Sequence, residues 1–217
     1  MGKILSGYQI RKCLRPECGL RYPYVDDYTF GVRCPRCSGE TVVVLKRERR
    51  GDQQPGSTAP TSNKIEALLD NVRSAWNVGS MFRTADGVGI HRMHLCGITP
   101  TPENLEVRKT SLGAEKAISW KWYADSVIAA QLLQEEGYQL WALEEDSRSE
   151  PLFNMSAQSG MKPVVLIVGN EVCGVDPALL SLCERVFYIP MVGVKHSFNA
   201  AVAFGITAHF LIWSKAH

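Results

Sequence analysis

Short apolar runs alternate with helix-like segments along most of the chain. Tyr138–Leu143 and Val164–Val168 are continuously apolar, as is typical of strands that are covered on both faces. Before the first of these runs, Asp125 is placed to cap a helix over Ser126–Glu136, and Gly137 to end it. This alternation predicts an α/β fold with a mostly parallel sheet, in which ligands bind beyond the carboxyl ends of the strands.

The same signals predict the remaining elements of this sheet. The predicted strands are Ile65–Leu69, Arg92–Ile98, Ile118–Tyr123 and Val186–Ile189, and the predicted helices run from Asn77 to Gly87, from Pro177 to Cys183 and from Asn199 to Trp213. Asn77 and Ser197 stand where the N-caps of the first and last helices are expected. Pro190 ends the last strand and Gly193 allows the following turn, so this stretch predicts a pocket rich in free N–H groups.

The composition indicates a soluble, globular protein, with 45% hydrophobic and 21% charged residues among 217. That length suits one domain with a large core and a small appendage. No apolar run reaches the roughly 18 residues that span a bilayer, and Met1–Ile10 lacks a signal-peptide core, so we expect no membrane partner and a cytoplasmic location. No strand is followed by Gly-x-Gly-x-x-Gly or a phosphate loop, which disfavours enzymes that use dinucleotides or nucleoside triphosphates.

Two cysteine pairs near the N-terminus have the spacing of a metal site. Cys13 and Cys18 form the first pair, and Cys34 and Cys37 form the second. Four thiolates from two short loops can complete a tetrahedral zinc shell, and the β-prone residues around them, including Thr41–Leu45, predict a small β-rich zinc ribbon. The first pair has four intervening residues instead of the usual two, and the alternative is a set of thiols without a metal. A fold this small depends on a bound metal ion for its stability.

The first 50 residues, which include this ribbon, are basic. They hold eleven Lys and Arg against five Asp and Glu, whereas the remainder carries a net charge of −4. Basic side chains interleaved with tyrosines suit contact with the phosphates and bases of RNA, and a solvated basic face or a protein-contact role are the alternatives. The side chains concerned are Arg11, Lys12, Arg15, Arg21, Arg33 and Arg36. The composition of residues 51–63 predicts a flexible linker to a catalytic body over residues 64–217.

Three polar stretches lie at the ends of predicted strands, namely Asn71–Asp86, Val168–Val175 and Ile189–Phe204. In their order and spacing they resemble the three motifs of the SpoU (TrmH-like) branch of the SPOUT RNA methyltransferases. The resemblance covers about residues 64–217, and Arg108–Glu115 also resembles the family's loop after its second strand. Each motif alone is a weak signal, whereas the three together are highly specific.

The resemblance implies a C-terminal trefoil knot, a homodimer, and S-adenosylmethionine as the methyl donor for a ribose 2′-hydroxyl of tRNA or rRNA. Position by position, it assigns catalytic roles to Asn77, Arg83, Glu171, Ser197 and Asn199, and cofactor contacts to Leu143, Gly169, Ile189, Met191 and Phe198. For Glu171 the alternative is an acid that caps a helix. Phe198 and Ala200 stand where the family usually has Leu and Val, from which we expect a reshaped adenine pocket that is still apolar.

Arg83 corresponds to the family's proposed proton acceptor. A guanidinium stays protonated in proteins, so we expect Arg83 to stabilise charge on the 2′-oxygen and to hold a phosphate. Its separation from Asn77, under two helical turns, would let both side chains reach one ligand. The rival interpretations are a SPOUT enzyme that methylates a base nitrogen, a non-catalytic RNA-binding module, and an interaction protein whose ribbon recruits a partner.

Overall fold

The computed structural model describes residues 7–25, 32–48, 65–155, 162–194 and 197–213. The chain divides into two compact units, Met1–Ser57 and Thr58–His217. The division into residues 1–50, 51–63 and 64–217 stays a prediction, because the whole of its linker lies outside the described residues. No helix in the described ranges has the length and apolar character needed to cross a membrane.

The N-terminal unit contains a three-stranded antiparallel sheet. Its strands are β1 (Gly7–Cys13), β2 (Arg21–Tyr24) and β3 (Thr41–Glu48), in the spatial order β2-β1-β3. The buried hydrophobic residues that the structure describes in this unit are Cys13, Tyr22, Tyr24 and Cys34. An apolar core of that size is too small to hold a sheet by itself, so the cysteines matter for the stability of the unit.

Within its described residues, the C-terminal unit is built on a parallel sheet of seven strands. These are β4 (Ile65–Asp70), β5 (Arg92–Cys96), β6 (Ser119–Tyr123), β7 (Gln139–Leu143), β8 (Glu150–Pro151), β9 (Val164–Val168) and β10 (Arg185–Tyr188). They lie in the order β6-β5-β4-β9-β7-β10-β8, and all neighbouring strands are parallel. The predicted α/β class and mostly parallel sheet are therefore confirmed.

In the part of the chain that the structure describes, five α-helices cover the two faces of this sheet. They are α1 (Ala75–Val88), α2 (Leu105–Ser111), α3 (Ser126–Glu135), α4 (Pro177–Ser181) and α5 (Ala200–Trp213), and short 3-10 turns occupy Ala114–Lys116 and Leu152–Asn154. Successive side chains of a strand point to opposite faces. On β4, Leu69 belongs to the apolar cluster of Phe82 and Phe204, whereas its neighbour Leu68 belongs to the cluster of Leu179. Helices α1 and α5 therefore lie on one face, and α3 and α4 on the other.

The structure corrects two predicted helix caps. Asn77 lies inside α1, and the N-cap is Ser74, whose Oγ accepts a hydrogen bond from the N–H of Asn77 (3.2 Å). At α5, the residue that caps the helix is Asn199, whose Oδ1 accepts from the N–H groups of Ala201 (2.9 Å) and Val202 (3.3 Å). Serine and asparagine both cap helices well, so the sequence offers several candidates and only the chain path decides between them.

Helix α2 is an element that the sequence patterns did not predict. Asn104 caps its start by accepting a hydrogen bond from the N–H of Glu106 (2.8 Å). The helix packs closely on α1, because a Cβ atom on Gly79 would meet the side chain of Thr110 and the carbonyl group of Val107. The absence of a side chain at this glycine therefore sets the distance between the two helices.

Candidate active site

A cavity of about 520 Å³ opens at the carboxyl edge of the parallel sheet. Its walls come from the last residues of β7, β9 and β10, from the residues that follow them, and from the start of α5. Parallel α/β sheets bind ligands at this edge. The lining residues are Leu143, Glu144, Glu145, Val168, Gly169, Asn170, Glu171, Val172, Gly174, Tyr188, Ile189, Met191, Ser197, Phe198, Asn199, Ala200 and Ala203.

All five residues that the resemblance assigns to the cofactor line this cavity, namely Leu143, Gly169, Ile189, Met191 and Phe198. The loop after β9 is tight, since Asn170 and Gly174 exchange backbone hydrogen bonds of 2.9 and 3.0 Å. A side chain on Gly169 would run into the backbone of Gly174 and Val175, so only glycine fits there.

Glu171 ties this loop to the start of α1. Its carboxylate accepts hydrogen bonds from the N–H groups of Arg73 (2.9 Å) and Ser74 (3.0 Å) and from Nδ2 of Asn77 (2.9 Å). Burial acts to raise the pKa of Glu171, but these donors stabilise the anion, and the pKa lies below its ordinary value. Glu171 is therefore an ionised carboxylate that is held in one orientation.

Asn77 continues this hydrogen-bonded chain into the third motif. Its Oδ1 accepts from Nδ2 of Asn199 (3.0 Å), and Oδ1 of Asn199 caps α5. Asn77 thus joins Glu171, 94 positions away, to Asn199, 122 positions away. Each amide uses both of its ends, which fixes the direction in which it points. Three of the five predicted catalytic residues are brought together in this way.

Ser197 and Arg83 complete the predicted catalytic set, but neither takes part in the hydrogen bonds that link Glu171, Asn77 and Asn199. Ser197 is exposed and lines the cavity. Arg83 is exposed on α1, is not among the lining residues, and makes no hydrogen bond or ion pair with the described parts of the chain. Six residues along a helix correspond to a rotation of about 240°, so Asn77 and Arg83 leave α1 on different sides, and that both reach one ligand stays a prediction.

Several structural residues of the site were missed by the sequence analysis. Glu144 lines the cavity, and its Oε2 accepts a hydrogen bond from the N–H of Val175 (2.9 Å). Asn170 donates to the carbonyl oxygen of Asn71 (2.8 Å), and the buried Asp70 accepts from the N–H of Asp176 (2.8 Å). Glu144, Asn170 and Asp70 stand at or just after the ends of apolar strands, and that position is the sequence signal that could have identified them.

The four cysteines of the N-terminal unit form a compact cluster. Their sulfur atoms all lie within 4.8 Å of one another, with 3.5 Å between Cys13 and Cys37 and 3.8 Å between Cys18 and Cys34. Four ligands at the usual zinc–sulfur distance of about 2.3 Å would be about 3.8 Å apart, so the cluster has the dimensions of a zinc site.

The protein environment of these thiols differs from one cysteine to the next. Burial raises the pKa of Cys13 to about 12. Burial also opposes ionisation of Cys34, but hydrogen bonds from the backbone of Cys37 and Arg36 lower the pKa of Cys34 to about 7. Backbone N–H groups that surround a sulfur in this way stabilise a thiolate, which is the form that binds a metal.

Comparison with known proteins places the larger unit in a family. The sequence pattern of the SpoU rRNA methylase family matches residues 64–209. A tRNA (guanosine(18)-2′-O)-methyltransferase of Thermus thermophilus is 30% identical over 141 residues, which are 64% of this chain and 69% of that protein. A 23S rRNA (guanosine(2553)-2′-O)-methyltransferase of Bacillus subtilis is 28% identical over 198 residues, which are 85% of this chain and 75% of the relative.

Solved structures show the same fold. The AdoMet-bound rRNA methyltransferase from Sinorhizobium meliloti has a TM-score of 0.63 and 31% identity to this chain. The match covers 69% of the present chain but only 56% of that protein. The TrmH/SpoU tRNA-modifying enzyme of Aquifex aeolicus has a TM-score of 0.61 at 24% identity, over 70% of this chain and 75% of the other. From the match to residues 64–209 and this shared fold, the chain belongs to the SpoU rRNA methylase family.

Proposed function

We propose that this protein transfers a methyl group from S-adenosylmethionine to a ribose 2′-hydroxyl of tRNA or rRNA. The proposal rests on one observation. Asn77, Glu171 and Asn199, one residue from each motif, are joined by hydrogen bonds beside a cavity at the carboxyl edge of the sheet. The substrate class follows the relatives, whose names include guanosine 2′-O-methyltransferases of tRNA and of 23S rRNA.

The cavity has the size and chemistry for this cofactor. Its volume of about 520 Å³ is that of a small-molecule site, and Leu143, Ile189, Met191 and Phe198 supply apolar surface for an adenine ring. The cofactor supplies a methyl group that is already activated by its positively charged sulfur. The solved S. meliloti relative was crystallised with AdoMet bound.

The residues of the chain supply alignment and electrostatic stabilisation. The ribose oxygen has to point along the bond that breaks, and alignment of this kind contributes about 7–11 kcal/mol in favourable cases. The fixed amides of Asn77 and Asn199, with the hydroxyl of Ser197 at the cavity, would orient the ribose. The guanidinium of Arg83 would stabilise the negative charge that develops as the hydroxyl proton leaves to water.

The test is methyl transfer by the purified protein to transcribed tRNA and to rRNA fragments, followed by nucleoside mass spectrometry. We expect a ribose-methylated nucleoside, and its loss with Asn199→Ala. A methylated base in its place would favour the base-methylating SPOUT enzyme. Binding of RNA and of cofactor without any methylation would favour the non-catalytic module.

Zinc is the metal that we propose for the four-cysteine cluster, on the strength of its sulfur–sulfur distances and its four soft ligands. The zinc would replace the apolar core that the N-terminal unit lacks. Arg11 is held by hydrogen bonds to Thr41 and Gln9, whereas the other five basic residues singled out around the cysteine pairs are exposed. Those five, which we propose as contacts for the phosphates of the RNA, are Lys12, Arg15, Arg21, Arg33 and Arg36.

A homodimer in the cytoplasm is the assembly that we propose. Helix α5 carries an apolar surface around Gly205, Ile206, Phe210 and Trp213, and Trp213 is 39% exposed. Val202, on the same helix, is 49% exposed. Contiguous apolar surface of this kind marks a protein–protein interface, and a second copy of the chain is the partner that the family resemblance implies.

A further inference from the structure

The described lining of the cavity at the sheet edge carries negative charge. Three carboxylates line it, from Glu144, Glu145 and Glu171. Among the lining residues that the structure describes there is no Lys, Arg or His. Lys195 and His196 lie outside the described residues and are not covered by this statement.

The charge of Glu171 is largely engaged by other groups. It accepts two backbone N–H groups at the start of α1, where the helix dipole is positive, and the guanidinium of Arg73 lies 3.9 Å away. Its role in the cavity is therefore mainly to join the first and second motifs.

Glu144 is in a different situation, because no described cation lies within ion-pair distance of it. Its Oε1 accepts from the N–H of Glu145 (2.9 Å), and its Oε2 accepts from the N–H of Val175 (2.9 Å). A Cβ atom on Gly174 would collide with Oε2, so the loop after β9 closes directly over this carboxylate. Two N–H donors fix the orientation of the anion but leave its net charge in place.

A fixed, half-buried carboxylate attracts a cation in the same cavity more strongly than a neutral group of equal shape. S-adenosylmethionine carries a positively charged sulfonium, whereas the S-adenosylhomocysteine left after transfer has a neutral thioether at the same position. We infer that Glu144 makes the cavity selective for the charged methyl donor over the neutral product. The inference rests on the proposed function, and it adds a specificity-determining residue to the cofactor site.

The experiment measures binding of S-adenosylmethionine and of S-adenosylhomocysteine to the full chain by titration calorimetry. Glu144→Gln keeps the shape of the side chain and removes its charge. We expect affinity for S-adenosylmethionine to fall about tenfold, because the variant removes one unit charge from the cavity, and affinity for S-adenosylhomocysteine to change less than about threefold. Glu135→Gln, on α3 and outside the cavity, is the matched control and should change neither affinity.

Equal losses for the two ligands, or no loss for either, would overturn the inference while leaving the proposed function intact. Failure of the unmodified protein to bind either ligand would overturn the proposed cofactor and, with it, the inference. If Glu144→Gln does not fold, Glu144→Asp provides the test, because it keeps the charge and should preserve the ratio of the two affinities. If Glu144→Asp changes the ratio of the two affinities, the charge of Glu144 is not the cause of the selectivity.

Discussion

At the scale of single residues, Glu171 is the side chain on which the geometry of the site depends most. Its side chain is only 19% exposed and receives three hydrogen bonds from the start of α1. The pKa of Glu171 is lowered by these donors, which prevail over the effect of burial. A carboxyl group with a depressed pKa in the folded state stabilises the fold above its unfolded pKa, and this contribution is lost as pH falls through the folded pKa.

The first prediction follows from that linkage. At pH 7 we expect Glu171→Gln to lower the free energy of unfolding of the C-terminal unit by about 1 kcal/mol, a value reduced for partial exposure. The difference between variant and unmodified protein should shrink as pH falls below 4.5, the ordinary pKa of the group. Thermal unfolding followed at several pH values measures it, with Glu135→Gln as the control. A difference that is constant with pH would contradict the proposed ionisation.

Arg83 gives the second prediction, which concerns turnover. Its guanidinium has no partner within the described structure, so the side chain is available to an RNA ligand. Arg83→Lys should keep measurable activity because the charge survives, whereas Arg83→Ala should lose about 10²–10³ in turnover, the scale for one electrostatic group. Cofactor affinity should barely change in either variant, since Arg83 does not line the cavity.

The pH–rate profile distinguishes the two roles of Arg83. An arginine that acts as a base would produce a deprotonation limb that disappears in Arg83→Lys. A limb that persists in Arg83→Lys reports another group, and the charge-stabilising role then stands.

At the scale of elements, the ribbon and the sheet are stabilised in different ways. The strand β9 is buried along its whole length between two helical layers, whereas β3 of the ribbon is largely exposed. Apolar burial therefore stabilises the large sheet, and the four-cysteine cluster has to hold the small one.

The third prediction is that one zinc ion binds per chain and stabilises the ribbon. Elemental analysis should find one zinc, and Cys34→Ser should lose it together with the ordered ribbon, because three thiolates hold the ion less well than four. Cys183→Ser is the control, since that cysteine is buried in the apolar cluster beneath α4 and is not part of the thiol cluster. Protein that contains no zinc, and in which Cys34→Ser leaves the ribbon folded, would refute the site.

At the scale of the whole molecule, the fourth prediction is a dimer that associates through α5. Light scattering at micromolar concentration should give twice the 24.1 kDa of one chain. Val202→Glu should weaken association, because it places a charge within the apolar surface of α5. Ile128→Glu is the matched control, since Ile128 is 56% exposed on α3, on the opposite face of the sheet. An active monomer would exclude the dimer as a requirement for function.

The fifth prediction assigns RNA affinity to the ribbon. Replacing Lys12, Arg15 and Arg33 together by Ala should weaken RNA binding and reduce its salt dependence, by a slope of up to about 0.9 for each phosphate that the variant no longer neutralises. Affinity for S-adenosylmethionine should not change, because its proposed cavity lies in the other unit. Lys162→Ala, which removes an exposed charge from the C-terminal unit, is the control. Unchanged RNA affinity in the triple variant would indicate that the ribbon binds another partner.

Local signals were sufficient for much of this protein. Continuous apolar runs predicted β7 and β9 within one residue of their observed bounds, and Asp125 was correctly predicted to cap α3. Strand spacing and polar residues after strands also predicted which edge of the sheet carries the cavity. These features depend on neighbours in the chain, which is why sequence patterns report them.

Interactions between distant residues were decided only by the tertiary structure. The caps Ser74 and Asn199 and the close packing of α2 against Gly79 depend on where other elements lie. The trefoil knot remains an implication of the resemblance, because knots do not follow from local pattern rules. The amide of Asn77 binds partners 94 and 122 positions away, and no local propensity encodes an interaction over such separations. It forms because the parallel sheet brings the ends of β4, β9 and β10 to one edge.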